Sequence, residues 1–255
     1  MFDKFLGYLF REDITWILLG LKGKGKTNVA AAIMKEAIDR GYWVFTNIHF
    51  FTLMQVPMAI SKGLLAKRYD GKSYKKVPPE VVVCSSMKQL LLELCSSKKK
   101  ITILDEAGIH ADSSSAMSKS TKTIKQLNRV IRHFDSSFGL ITQTKGSIPP
   151  DLREKGLDVE MNVVMRGRER FLECGKRGEF RDEDTGEVRA HFPVVSKFGP
   201  IPLAEYPFDS KFPSGFTIDV DLKEALDKLS ELTSTIDVVS GKGREIIEGL
   251  KTKKR

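Results

Sequence analysis

At 255 residues, with 41% hydrophobic and 29% charged residues, the chain holds enough apolar material for one α/β domain and a smaller appendage. Three scattered cysteines (Cys84, Cys95, Cys174) and four histidines without ligand spacing argue against a disulfide framework or a zinc site. A net charge of +9 favours an anionic partner, nucleic acid or acidic lipid, while the apolar run at 14–19 is far too short to cross a bilayer.

Residues 1–10 contain Asp3 and Lys4 and lack a small-residue cleavage site, so they do not read as a signal peptide. Residues 14–19 (Ile-Thr-Trp-Ile-Leu-Leu) form a continuous apolar run stopped by Gly20, the pattern of a buried parallel strand. From 27 to 40 the apolar positions Val29, Ala32, Ile33, Ala37 and Ile38 recur at helical spacing, and Gly41 supplies a stop. The aromatic and β-branched stretch 42–47 predicts a second strand, completing a βαβ unit. Residues 50–79 mix apolar and basic, turn-rich segments and read as an insertion or irregular crossover.

Downstream, 87–95 predicts a short leucine-rich helix, and 101–104 a third buried strand after the lysine run 98–100, expected to face solvent. The serine-rich stretch 111–120 reads as a mobile loop, 121–133 as a helix, 138–142 as a fourth strand and 159–165 as a fifth. Alternation over 166–174 and 187–195 around Asp184-Thr-Gly-Glu187 suggests β-hairpins. Residues 221–232 and 244–250 read as amphipathic helices before a basic end. The expected fold class is α/β: a P-loop NTPase with a mainly parallel central sheet flanked by helices, a small β-hairpin region and C-terminal helices. The expected divisions are a core over 1–165, a hairpin extension over 166–220 and a helical basic tail over 221–255.

Gly20-Leu21-Lys22-Gly23-Lys24-Gly25-Lys26-Thr27 matches GxxxxGK[ST] at every fixed position. Such glycines let backbone N–H groups wrap phosphates at a helix N-terminus, so residues 20–28, Asn28 included, are the candidate nucleotide site. Lys26 would reach the β/γ-phosphates, and the Thr27 hydroxyl would ligate Mg²⁺. Asp105 and Glu106 close the third strand, where an Asp holds the Mg²⁺ of bound ATP and a neighbouring Glu polarises water as general base. That pair suits water as acceptor and disfavours a small-molecule kinase. Gln143 ends the fourth strand and would sense the γ-phosphate if that strand lies beside the P-loop strand. Arg129, Arg132 and Arg153 flank it as candidate arginine fingers for a neighbouring subunit. Arg166, Arg168 and Arg170 alternate at period two, a possible DNA-tracking ribbon on one strand face or a solvated face.

Together, the P-loop, Val-Phe-Thr-Asn-Ile48, Ile-Leu-Asp-Glu-Ala107, Arg-His133, Leu-Ile-Thr-Gln143 and Ile148-Pro-Pro-Asp-Leu-Arg153 resemble the HerA–FtsK branch of P-loop ATPases. Within it, the pattern is most similar to zonula occludens toxin-like and viral genome-packaging ATPases, over roughly residues 12–165. The resemblance implies that Lys26 and Thr27 bind phosphate and Mg²⁺, Asp105 and Glu106 form the Walker B pair, Gln143 is the sensor and Arg132 the first finger candidate. It implies a ring-shaped, hexameric motor on double-stranded DNA, in the host cytoplasm or associated with virions, with capsid or membrane proteins of a virion as further partners. Zonula occludens toxin-like assembly proteins carry a membrane span that is not seen in this sequence. Two function classes therefore stay open beside the kinase: a DNA translocase packaging a viral genome or moving mobile-element DNA, and a virion-assembly or secretion ATPase.

Overall fold

The computed structural model describes residues 2–12, 14–65, 67, 72–96, 98–105, 125–143, 148, 152–181, 188–209, 216–232, 235–239 and 241–252. Its elements run α1 (Phe2–Leu9), β1 (Thr15–Leu19), α2 (Lys26–Asp39), β2 (Trp43–Thr46), α3 (Val56–Ser61), β3 (Val81–Val83), α4 (Met87–Leu94) and β4 (Lys100–Asp105). There follow a helix over 125–132, here α5, then β5 (Ser136–Thr142), a π-helical turn (Leu152–Gly156), β6 (Val159–Arg166) and β7 (Glu169–Lys176). The chain continues through β8 (Gly178–Arg181), β9 (Val188–His191), β10 (Val194–Phe198), α6 (Leu222–Ser230), α7 (Thr235–Val239) and α8 (Gly241–Gly249).

Eight strands form one sheet in the order β10-β7-β6-β1-β5-β4-β2-β3. From β6 to β3 every neighbour is parallel, and β7 and β10 add an antiparallel edge. A parallel sheet needs cover on both faces, which is why its strands are buried along most of their length and mainly apolar. The two-residue alternation of β1 divides the core accordingly. Ile17 and Leu19 pack with residues of α4, α5, α6 and α8, whereas Trp16 and Leu18 pack with α1 and α2.

Gly139 in β5 shows how tightly β1 is seated: a Cβ there would overlap the Trp16 ring, whose indole N–H donates to Ser137 Oγ at 3.2 Å. The site-bearing strand is thereby keyed to its neighbour by one absent methyl group.

The structure departs from the sequence reading in several places. Helix α1 was not anticipated, yet it buries Phe5, Leu6 and Leu9. The expected boundary at residue 165 falls inside the β6–β7 hairpin of the main sheet, and among the described residues only β8 and β9 form a separate small sheet. The C-terminal helices, expected as a helical basic tail, pack into the core through Leu222, Ala225, Leu229 and Ile247, with Leu250 just beyond. Lastly, Lys100 is buried and donates to Ser96 O, its ammonium pushed down from the usual lysine range by burial, so the lysine run is not wholly solvated. The serine-rich 111–120 stretch and the Asp184 turn lie outside the described residues.

Candidate nucleotide site

Strands β1, β5 and β4 lie side by side and end level with one another. Leu19 pairs with Thr142 and Asp105 with Ile141, so Gly20, Gln143 and Asp105 emerge together at one edge of the sheet. Gln143 is exposed at the end of β5, between the P-loop strand and the Asp105 strand. The condition set by sequence, that the Gln143 strand lie beside the P-loop strand, is met by direct pairing.

The P-loop spans β1 and α2, as its mechanism requires. Leu21, Lys22, Gly23 and Lys24 are exposed, and Gly25, Lys26 and Thr27 are half-buried. Gly25 is the α2 N-cap, at φ 83°, a left-handed conformation that favours glycine. No side chain caps α2 and no acid occupies its first turn. Helices α4 and α6, by contrast, are capped by Ser86 and Asp221. The first-turn N–H donors of α2, with the positive end of its dipole, are thus left for an anion. Lys26 Nζ donates to Gly20 O at 2.7 Å and to Leu21 O at 3.4 Å, holding the ammonium across the loop mouth.

Asp105 is fixed by a residue that sequence reasoning quoted without a role. Asn47, fully buried just past β2, donates through Nδ2 to Asp105 O at 2.9 Å and accepts from Asp105 N at 2.7 Å. One amide thus extends the β2–β4 ladder by a rung and sets where the Asp105 carboxylate begins. The signal was an Asn directly after a strand, where a side-chain amide can imitate backbone. The Thr27 hydroxyl and Asp105 carboxylate are hard oxygen donors of the kind Mg²⁺ takes. Glu106 lies outside the described residues.

The Asn28 side chain does not join the loop: Nδ2 donates to Pro202 O at 3.0 Å, and Oδ1 accepts from Ala204 N at 2.8 Å. It clamps the segment after β10 onto α2 and leaves only its backbone for phosphate.

The finger candidates stand at the other end of the sheet. Asn128 of α5 accepts from Thr15 Oγ1 at 2.9 Å, at the start of β1 and about 13 Å of strand from the P-loop. Arg132 lies about one further helical turn away from the loop, just before the chain enters β5. Lys125, Arg129, Arg132 and Lys155 line a cleft of about 320 Å³ with Asn128, Leu152 and Gly156. Arg129 and Arg132 are exposed there, and Arg153 is half-buried in the adjoining π-helical turn.

Arg166, Arg168 and Arg170 do not share a strand face, because the hairpin turns at Gly167-Arg168 between β6 and β7. Arg166 stacks over Phe171 with its guanidinium carbon 5.0 Å from the ring centre, and Arg168 is exposed in the turn. Arg170 instead lies against the P-loop: a Cβ at Gly25 would come within 2.8 Å of Arg170 Cδ and overlap its Nε.

All three cysteines are buried free thiols; burial pushes Cys84 up to about 12 and Cys95 up to about 11. Thiolate chemistry has no part in this site.

Comparison with known structures returns similar folds at low identity. The N-terminal domain of zonular occludens toxin from Neisseria meningitidis is 16% identical, covering 72% of this chain and 95% of its own, with a TM-score of 0.37. The genome packaging NTPase of Sulfolobus turreted icosahedral virus 2, in complex with AMPPCP, is 15% identical over 72% of this chain and 100% of its own, with a TM-score of 0.40. A KaiC-like protein from Pyrococcus horikoshii is 14% identical over 71% and 90%, with a TM-score of 0.39. No curated protein matches the sequence. Residues 16–164, more than half of the chain and the stretch from β1 through β6, match the model of one sequence family. The chain therefore belongs to the ATPase family associated with various cellular activities (AAA), and it is an ATPase of the P-loop type.

Proposed function

We propose that the chain is an ATP-driven DNA translocase that works as a ring, hexameric by its resemblance, and packages a viral genome or moves mobile-element DNA. The observation that supports this reading is the cleft of Lys125, Arg129, Arg132 and Lys155 at the end of the sheet opposite the chain's own P-loop. Arginines there cannot neutralise charge on their own nucleotide. A neighbouring subunit's nucleotide is the anion they fit, with Arg132 as the finger. Within one subunit, Lys26 and Thr27 hold the triphosphate and Mg²⁺ with Asp105, Glu106 activates water, and Gln143 reports the γ-phosphate. The net charge of +9 suits a polyanionic track.

The test is ATP turnover with and without double-stranded DNA. Stimulation that falls steeply as salt rises is expected, because phosphate contacts release counterions. Assembled protein that no DNA stimulates would remove the motor reading.

A second reading, the virion-assembly or secretion ATPase, draws on a different feature. A cavity of about 480 Å³ is lined by His49, Phe50, Phe51, Leu53, Met54 and Val77, among others, with Leu53 and Met54 exposed. An apolar surface of that kind suits a protein partner. Absence of DNA stimulation would favour this reading. Among the described residues no helix is long and apolar enough to cross a membrane.

A further inference from the structure

The β6–β7 hairpin brings a further cation to the P-loop from a distant part of the same chain. Arg170 sits on β7, opposite Met165 of β6, with its stem and guanidinium laid over Gly25. A Cβ at Gly25 would stand 2.8 Å from Arg170 Cδ and 3.2 Å from its Cζ, so the guanidinium occupies the space beside the α2 N-cap. Arg170 is also held from behind. Its carbonyl accepts from Ile201 N at 2.7 Å, and the same segment is gripped at Pro202 and Ala204 by Asn28 of α2. The hairpin, the strap 199–204 and the start of α2 are therefore tied into one unit around the loop.

The Nε of this arginine is buried and has no hydrogen-bond partner. A buried charged donor left unpaired is costly, and an ordered water, ion or bound ligand is what satisfies such a group. The surroundings specify that ligand's charge. The uncapped first turn of α2, the positive end of its dipole and Lys26 converge on the same place, and each favours an anion.

We infer that Arg170 is a nucleotide-binding residue acting in cis, its guanidinium bonding the α/β-phosphates cradled by Gly25 and Lys26 of the same chain. Arg170 thereby leaves the DNA-tracking group in which its sequence spacing had placed it. The assignment rests on the chain being an ATPase and does not depend on the motor reading. It also differs in kind from the finger candidates, which stand at the far end of the sheet and need a neighbour.

The experiment is titration of ATP and of ADP into wild-type, Arg170→Ala and Arg170→Met proteins at concentrations below self-association, with double-stranded DNA titrated in parallel. Arg170→Met keeps the apolar stem over Gly25 and removes the charge, so packing and charge separate. Both variants are expected to raise Kd for ATP and for ADP about tenfold, the ordinary effect of losing one charge-assisted hydrogen bond, with DNA titrations superimposing on wild type. Wild-type binding with unchanged nucleotide affinity in Arg170→Met overturns the assignment alone. A wild-type chain that bound no nucleotide would overturn it together with the P-loop reading. A loss that appears only after self-association places the contact in trans and also overturns it.

Discussion

The two ends of the central sheet are built on opposite terms. At the carboxyl end, the described groups are seated by the sheet: Gln143 and Gly20 follow paired strands, and the Asp105 backbone is bonded on both sides by Asn47. At the other end, Arg129 and Arg132 are exposed on the surface of α5, a helix held to β1 by the Asn128–Thr15 hydrogen bond and by its buried apolar face. Groups that must act within ångströms are placed by ladders, whereas groups that meet something outside the chain can be left on a helix face. The difference teaches that one chain holds its nucleotide but presents its arginines outward.

The sharpest way to break that contrast is Arg132→Ala. A finger acting in trans is worth about a thousandfold in turnover, so the variant should bind ATP normally and lose turnover by that order. Lys26→Ala, which loses the phosphate contact, should also be inactive. Mixed together, the two variants can form interfaces that pair an intact P-loop with an intact Arg132, and activity should return in part. If the mixture stays as inactive as either variant alone, the two ends do not meet across a subunit interface. Normal turnover by Arg132→Ala would pass the role to Arg129 or Arg153.

A smaller effect probes how firmly the carboxyl end is fixed. Asn47→Ala leaves the Asp105 N–H and C=O without their partner and should cost about 2 kcal/mol of stability by thermal melting. If Asn47 also positions the carboxylate, the Mg²⁺ concentration for half-maximal turnover should rise as well. A lowered melting temperature with an unchanged Mg²⁺ dependence would reduce Asn47 to a purely structural role.

The same contrast explains what could be read from the sequence. The strands β1, β2, β4 and β5 were legible because strands buried on both faces contain apolar runs with few other readings. The P-loop was legible because its motif is local, eight consecutive residues from Gly20 to Thr27. Asn47 and Asn28 were not, since their partners lie 58 and 174 residues away and only the fold brings them together. Asn28 misled for a related reason: adjacency to Thr27 suggested phosphate, whereas the amide serves a strap that no local pattern announces. Helix α1 was weighed only as a possible signal peptide, so its burial against the sheet went unseen.

The arginines near residue 168 give the smallest and most discriminating effect. Alternation at period two was read as one strand face, but Gly167 lets the chain reverse, and the hairpin sends the three side chains to three surroundings. Arg166 stacks on Phe171, Arg170 lies on the P-loop, and Arg168 stands exposed in the turn at the tip of the hairpin, where a polyanion can reach it. Arg168→Ala should therefore weaken binding to double-stranded DNA uniformly across sequences, lowering the slope of log K against log salt by about one. Nucleotide affinity should not change. Because one phosphate contact is a small fraction of a translocase footprint, the salt slope is a better readout than Kd at one salt concentration. A slope identical to wild type would take the hairpin tip off the DNA path. The basic cleft at α5 would then be the next surface to test, and DNA and a neighbour's nucleotide would compete there for the same arginines.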